Sequence, residues 1–404
     1  MRKLPPVGIK LRYSELAAAL RSGPEAEARL AEALQGRLAC RCAFLFGSGR
    51  AALAAILSAL RRFHPGHCVI VPAYTCWSVP AAVVRAGLRV VPAEMLPGQI
   101  DYDLERLARM DWTDVLAVIS PNLFGLPGEL TRLEGLVEGN DAVLIDDAAQ
   151  ALGASLRGQP VGSFGAAGLI SFGRGKNITA LGGGAALIRD EELASAMDQV
   201  ADSFRSSPPP DSLNIALRGA AMRIALSPSW YGWAERLPGV EVGRTVYQPE
   251  FPTAAMGAPR AALAGRVLER LDEINQWRGQ RAEMIDRRLA DNRSIVLPKP
   301  RSGAVPAWLR RPFLPQDEGK KEILLSALQA AGIGASGMYP APVHQIPGLG
   351  NELDLRGAPF AGAERLAQNL IVLPLVEEMS GPDFDAMARV ITEVLGKKQA
   401  VRWV

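Results

Sequence analysis

AVLIDDAAQALGA, residues 142–154, and GLISFGRGKNITALGGGAAL, residues 168–187, decide how this chain is read. Each opens with an apolar run of strand length and then turns polar: Asp146 and Asp147 end the first run, and Ser171 ends the second, ahead of a glycine-rich turn that carries Lys176. A strand that ends in two carboxylates places an acid at the carboxyl edge of a sheet, where a protonated ring nitrogen would stabilise its charge. The plainer alternative is that Asp146 and Asp147 cap the following segment. Backbone approaches a ligand closely at a glycine-rich turn, and an amine there can be held against a carbonyl, although most such lysines are solvated surface groups.

The same alternation extends on both sides of this pair. Apolar runs at 43–46, 68–74, 88–95, 115–120, 142–146 and 168–172 have the length of buried strands. Between several of them lie helical patterns, such as Leu53, Ile56, Leu57 and Leu60, which share one face. Strand and helix in alternation predict a largely parallel sheet covered by helices, with the site outside the carboxyl ends of the strands. A third motif, LFGSGRAALAAILSAL at 45–60, runs a strand through Ser48, Gly49 and Arg50 straight into a helix. Free N–H groups and the helix dipole suit that junction to a phosphate monoester, or Ser48 is simply a cap on an ordinary turn.

Composition narrows the rest. At 404 residues the chain is long enough for two domains, and 45 basic against 42 acidic residues, scattered along it, argue against a nucleic-acid partner. Four cysteines, Cys40, Cys42, Cys68 and Cys76, form neither a disulfide framework nor paired metal knuckles and suit a cytoplasmic setting. His64, His67 and Cys68 flank one Pro-Gly turn but lack a fourth ligand, so no metal site is expected. No apolar run is long enough to span a membrane. Residues 205–252, with Pro208 to Pro210, LNIALRGAAMRIAL and Trp230, Tyr231 and Trp233, read as a long apolar connection carrying one amphipathic helix. A long linking helix over 254–292, interrupted early by Pro259, leads to strands and helices of a smaller domain.

In order and wording, SGRAAL, VPAYTCW, LFGLPGEL, DDAAQALGA, SFGRGKNIT with GGGA, and the later GMYPAPVHQIPGL resemble the DegT/StrS-type sugar aminotransferases. The resemblance implies the pyridoxal-phosphate (PLP) fold type I: a large α/β domain, residues 1–252, with a mostly parallel seven-stranded sheet between helices. A smaller C-terminal α+β domain, 253–404, follows. It also implies an enzyme that moves an amino group from an amino acid, glutamate above all, to a keto sugar on a nucleotide carrier, working as a homodimer.

Carried over residue by residue, the resemblance makes Lys176 the catalytic lysine that holds PLP as a Schiff base. Asp147 becomes the partner of the ring nitrogen, Gln150 lies by the ring hydroxyl, and Ser171 joins Ser48, Gly49 and Arg50 at the phosphate. Where the family places an aromatic over the ring this chain has Cys76 beside Trp77, and Trp77 is the favoured cover. The family's N-Y-R-M motif, whose asparagine reaches the neighbouring subunit's cofactor, is replaced by Thr253, Ala254, Ala255 and Met256. His344 and Tyr339 are candidate substrate contacts, with Arg218 and Arg223 behind them. Relatives that are sugar dehydratases replace the lysine by histidine, which this chain does not. A non-sugar or hydrophobic ketone as acceptor, and a silent PLP-binding regulatory protein, stand as alternatives.

Overall fold

The computed structural model describes residues 2–205, 211–235 and 246–396. The triple proline and part of the 205–252 connection lie outside these residues. Seven strands form the main sheet: β1 (Cys42–Phe46), β2 (Cys68–Pro72), β3 (Arg89–Ala93), β4 (Val115–Pro121), β5 (Val143–Asp147), β6 (Ala167–Ser171) and β7 (Gly184–Ile188). Their order across the sheet is β1-β7-β6-β5-β4-β2-β3. The β6–β5, β5–β4, β4–β2 and β2–β3 pairs are parallel, while β7 runs antiparallel to both neighbours.

Six of these strands coincide with the apolar runs. The seventh, β7, follows the glycine triplet 182–184, and its burial leaves no alternation to read: all five residues are buried. A sheet buried on both faces has this character. One covering helix, Gly49–Leu60, is apolar almost all round and buries nine of its residues. It packs between the sheet and the helices Ser78–Arg85 and Glu191–Val200.

The remainder differs from expectation in three places. Pro259 begins a helix, Ala258–Leu268, where its missing N–H costs nothing, instead of interrupting one. The break falls later, at Glu269 and Arg270, before the helix Leu271–Leu289. That second helix serves two cores: Leu271, Ile274 and Trp277 pack with the main sheet, and Ala282, Ile285 and Leu289 with the C-terminal strands and helices. The 205–252 connection carries two helices, Ser212–Ala225 and Pro228–Ala234. On them Ile215 and Tyr231 are buried, whereas Leu213, Leu217, Ile224, Trp230 and Trp233 face solvent. The C-terminal sheet has strands Ile295–Val296, Arg311–Pro315 and Ile371–Leu373.

At the break before Leu271, Arg270 is buried and donates to the carboxylate of Glu15 and to the Lys10 carbonyl. This pair ties the N-terminal helix Tyr13–Leu20 to the linking helices. Glu15→Gln strands the guanidinium without a counter-charge, so a loss of about 3–5 kcal/mol in stability is expected. A thermal midpoint unchanged from wild type would contradict that role.

Candidate active site

Seven of the residues singled out from sequence line one cleft: Ser48, Gly49, Arg50, Asp147, Gln150, Ser171 and Lys176, together with Cys76 and Asn122. The cleft encloses about 690 Å³, counted out to its open mouth. It lies at the carboxyl ends of β4, β5 and β6. Asp147 ends β5, facing Pro121 of β4 and Leu169 of β6 in register, and Ser171 lies two residues beyond Leu169. Strand spacing and rise put the Cα atoms of Asp147 and Ser171 about 8 Å apart.

The two aspartates separate by function because successive residues of a strand point to opposite faces. Asp146 is fully buried and accepts from the amides of Gly162 (2.5 Å) and Phe164 (3.2 Å) and from the Asn122 side chain (2.8 Å). It fastens the 160–164 loop; burial raises its carboxyl to about 6, against the pull of those donors. Among the described residues Asp147 accepts only from the Ala149 amide, at 2.8 Å, and it lines the cleft. Burial pushes its carboxyl up, and the charge of Lys176 opposes the shift.

Lys176 is half-buried in a loop folded on itself, with the Thr179 hydroxyl and the Ala180 and Gly182 amides all donating to the Phe172 carbonyl. Burial lowers the Lys176 amine below the ordinary lysine range, while Cys76 and Asp147 work the other way. The cleft thus holds an amine biased toward its neutral, nucleophilic form and an acid with room for a cation.

At the opposite end, Ser48 caps the helix Gly49–Leu60 by accepting from the Ala51 amide at 3.2 Å. The first amides of that helix, on Gly49 and Arg50, have no carbonyl within the helix to bond. No side chain fits here: a Cβ on Gly49 would lie 3.0 Å from Ser171 Cβ, and one on Gly184 would lie 2.5 Å from Gly49. The Arg50 guanidinium lies over the Phe251 ring, 5.0 Å from its centroid.

These residues suit PLP. An anion cradle at a helix N-terminus, a buried acid with no cation on it, and a lysine amine are set along one cleft. Lys176 would hold the aldehyde carbon, Asp147 the ring nitrogen, and the Gly49–Arg50 turn with Ser171 the phosphate.

Other expected residues lie elsewhere or act indirectly. Trp77 does not line the cleft; its indole N–H donates to the Ala341 carbonyl at 3.2 Å, and Cys76 is the residue on the cleft wall. The Tyr339 hydroxyl accepts from Gln150 at 2.8 Å, and Gln150 in turn accepts from the Phe124 amide. His344 is outside the cleft lining, paired with Glu364 and against Phe360. Arg223 covers Tyr13 and donates to the Leu11 carbonyl, and Arg218 is exposed; neither lines the cleft. Two contributors escaped the motif reading. Asn122, which anchors Asp146, follows β4 as Asp147 ends β5, so its place at a strand's carboxyl end was the available signal. Arg310, just before the strand Arg311–Pro315, acts electrostatically on Lys176.

The division of labour between the aspartates is testable without turnover. Asp146→Asn sets an amide where backbone N–H donors converge, and a loss of about 1–3 kcal/mol is expected. Asp147→Asn removes a buried charge whose folded-state carboxyl is raised, so the cofactor-free protein near neutral pH is expected to keep or gain thermal stability. The same substitution removes an anion that supports the Lys176 ammonium, so Lys176 should become reactive toward an acylating reagent at lower pH, read by peptide mass spectrometry. An unchanged Lys176 profile would show that the two groups are not coupled.

The model of the DegT/DnrJ/EryC1/StrS aminotransferase family matches residues 11–223 and 253–394. The erythromycin biosynthesis sensory transduction protein EryC1 of Saccharopolyspora erythraea is 31% identical over 89% of this chain and 87% of its own length. The UDP-N-acetyl-3-dehydro-alpha-D-glucosamine 3-aminotransferase of Acidithiobacillus ferrooxidans is 28% identical, over 86% of this chain and 83% of its own. Among solved structures, Helicobacter pylori PseC, an aminotransferase involved in the biosynthesis of pseudoaminic acid, superposes with a TM-score of 0.79. That match has 19% identity and covers 98% of this chain and 99% of that one. The cleft, the sheet that carries it and these similarities agree: the chain belongs to the DegT/DnrJ/EryC1/StrS family of PLP-dependent aminotransferases.

Proposed function

We propose that the protein transfers an amino group from an amino acid, glutamate first among donors, to a keto sugar carried on a nucleotide, as a cytoplasmic homodimer. One observation carries the reading of the chemistry: Lys176 and Asp147 face one cleft whose far end is a glycine-lined helix N-terminus. The sugar acceptor is supported by relatives whose names specify sugar substrates, among them the UDP-linked glucosamine enzyme. Retention of a lysine at 176 speaks for amino transfer over dehydration.

When bound, the cofactor supplies an aldehyde that takes up the donor's amine and a ring that draws the electron pair from the α-carbon. The protein's own groups do the remainder. Asp147, ionised against the ring nitrogen, keeps that nitrogen protonated. Lys176 Nζ would hold the cofactor at rest and, with donor bound, would serve as the base that carries a proton from the donor's α-carbon. Proton transfer by a positioned group of this kind contributes about 10²–10⁴-fold in rate. Burial, which lowers the amine below the ordinary lysine range, favours the neutral form that accepts a proton. Ser171 and the Gly49–Arg50 turn fix the phosphate, so the reacting carbon stays in reach of Nζ.

A hydrophobic ketone acceptor is the second reading. It rests on the solvent-facing Leu213, Leu217, Ile224, Trp230 and Trp233 and on the fact that the family match stops at residue 223 and resumes at 253.

Visible absorption tests the central assignment. The wild type loaded with PLP is expected to show a band for the lysine-bound cofactor that L-glutamate converts to the amine form. Lys176→Ala is expected to lack that band and to lose turnover by about 10²-fold or more. A wild type that binds the cofactor and answers no amino donor would favour a silent regulatory protein.

A further inference from the structure

The helix Leu271–Leu289 carries Asn275 and Arg278, which, three residues apart, share one face, and each holds a loop of the site. Asn275 Nδ2 donates to the Leu152 carbonyl at 3.0 Å, in the segment that follows Asp147 and Gln150. The approach is close enough to require glycine at 153, where φ is 89° and a Cβ would lie 2.3 Å from that nitrogen. Arg278 Nη1 donates to the Asn177 carbonyl at 3.2 Å, one residue past Lys176. Asn177, itself buried, donates from its side chain to the Ala307 carbonyl at 3.0 Å, so the chain beyond Lys176 is held from two sides.

Nothing about Arg278 suits it to stability. It is fully buried, among the described residues it pairs with no carboxylate, and its Nε and Nη2 donate to nothing. Arg270 and Arg311, also buried, are neutralised by Glu15 and Asp286. Arg278 lies instead against Trp277, its Cζ 5.2 Å from the ring centroid. A guanidinium taken out of water without an anion is costly, and an apolar side chain of its volume would be the more stable occupant. What an apolar side chain lacks is a donor aimed at the Asn177 carbonyl.

We infer that Arg278 is a positioning residue: through the Asn177 carbonyl it fixes the Lys176 loop, and with it the place of Nζ, against the linking helix. The inference rests on the reading of Lys176 as the reacting amine. The loop's own bonds leave this to be done. The Thr179 hydroxyl and the Ala180 and Gly182 amides, which close the loop on the Phe172 carbonyl, begin two residues past Asn177 and act on the loop's return. Arg278 acts next to the lysine. Because Asn275 does the same for the segment after Asp147, one rigid helix sets the lysine against the acid, where a displacement of about 1 Å can cost about a hundredfold in rate.

Arg278→Met separates position from stability. The variant is expected to fold with a thermal midpoint at or above that of the wild type, since the buried charge is gone. In the cofactor-free protein, hydrogen exchange of the Ala180 and Gly182 amides, read on a peptide spanning 173–183, is expected to quicken by about tenfold, with exchange in β2 unchanged. Loaded with PLP, the variant is expected to answer L-glutamate about ten- to a hundredfold more slowly, with the half-saturating concentration shifted by less than about threefold. Arg278→Lys, which keeps a donor, is expected to fall between the two in exchange and in rate. Wild-type exchange in 173–183, or a wild-type rate, in the methionine variant overturns the inference. A lowered thermal midpoint with exchange raised in β2 as well overturns it too, by making Arg278 a structural residue only. Should the methionine variant not fold, Arg278→Lys decides: quickened exchange confined to 173–183 is expected, and wild-type exchange overturns the inference. Failure of the aminotransferase reading appears separately, as a loaded wild type that L-glutamate leaves spectrally unchanged, and the exchange comparison does not depend on it.

Discussion

The site depends on a half-buried lysine amine and a buried carboxylate that influence each other across a cleft. Each is taken out of water, and each is displaced from its ordinary ionisation by that burial more than by its partner. A closed ion pair would have cancelled both effects and produced a structural contact. Held apart, Lys176 retains an amine poised to react and Asp147 retains an acceptor for a cation that the chain does not supply.

Rigid strands hold them apart. Asp147 is fixed by its register with β4 and β6, and Asp146, one residue back, anchors the 160–164 loop with three accepted hydrogen bonds. Lys176 is fixed differently, by a loop that closes on the Phe172 carbonyl and is pinned through Asn177 to the C-terminal part of the chain. Both halves of the site are set on one core, which holds Leu144 and Ala148 beside Asp147 and Phe172, Ile178 and Ala307 around the Lys176 loop; the helix Leu271–Leu289 joins that core to the one under the C-terminal strands. Tyr339, from a separate cluster with Tyr74 and Phe124, accepts from Gln150 and ties that cluster to the cleft.

Much of this was legible in the sequence because it is local. Six strands were readable as short apolar runs, and Asp147, Ser171 and the Ser48–Gly49–Arg50 turn each stand within a few residues of a strand end. What was not legible depends on distant partners. β7 was hidden behind Gly182 and Gly183, whose glycines read as turn. The Cys76 and Trp77 pair could not be resolved because the choice is made by the Ala341 carbonyl, which takes the indole N–H and turns Trp77 away. Arg278 carries no motif; its meaning comes from lacking a carboxylate that Arg270 and Arg311 each have.

The departure at residues 253–256 has a physical basis in the phosphate turn. The Gly47 amide donates to the Ala254 carbonyl at 2.6 Å, and a Cβ on Gly47 would lie 2.9 Å from Ala254 Cβ. The two segments are so close here that only glycine fits at position 47. Met256 is buried and seats against Gly183, 3.2 Å from where that glycine's Cβ would be. The segment closes inward here and braces the strand-to-helix turn, beside which the Arg50 guanidinium, held over Phe251, adds positive field.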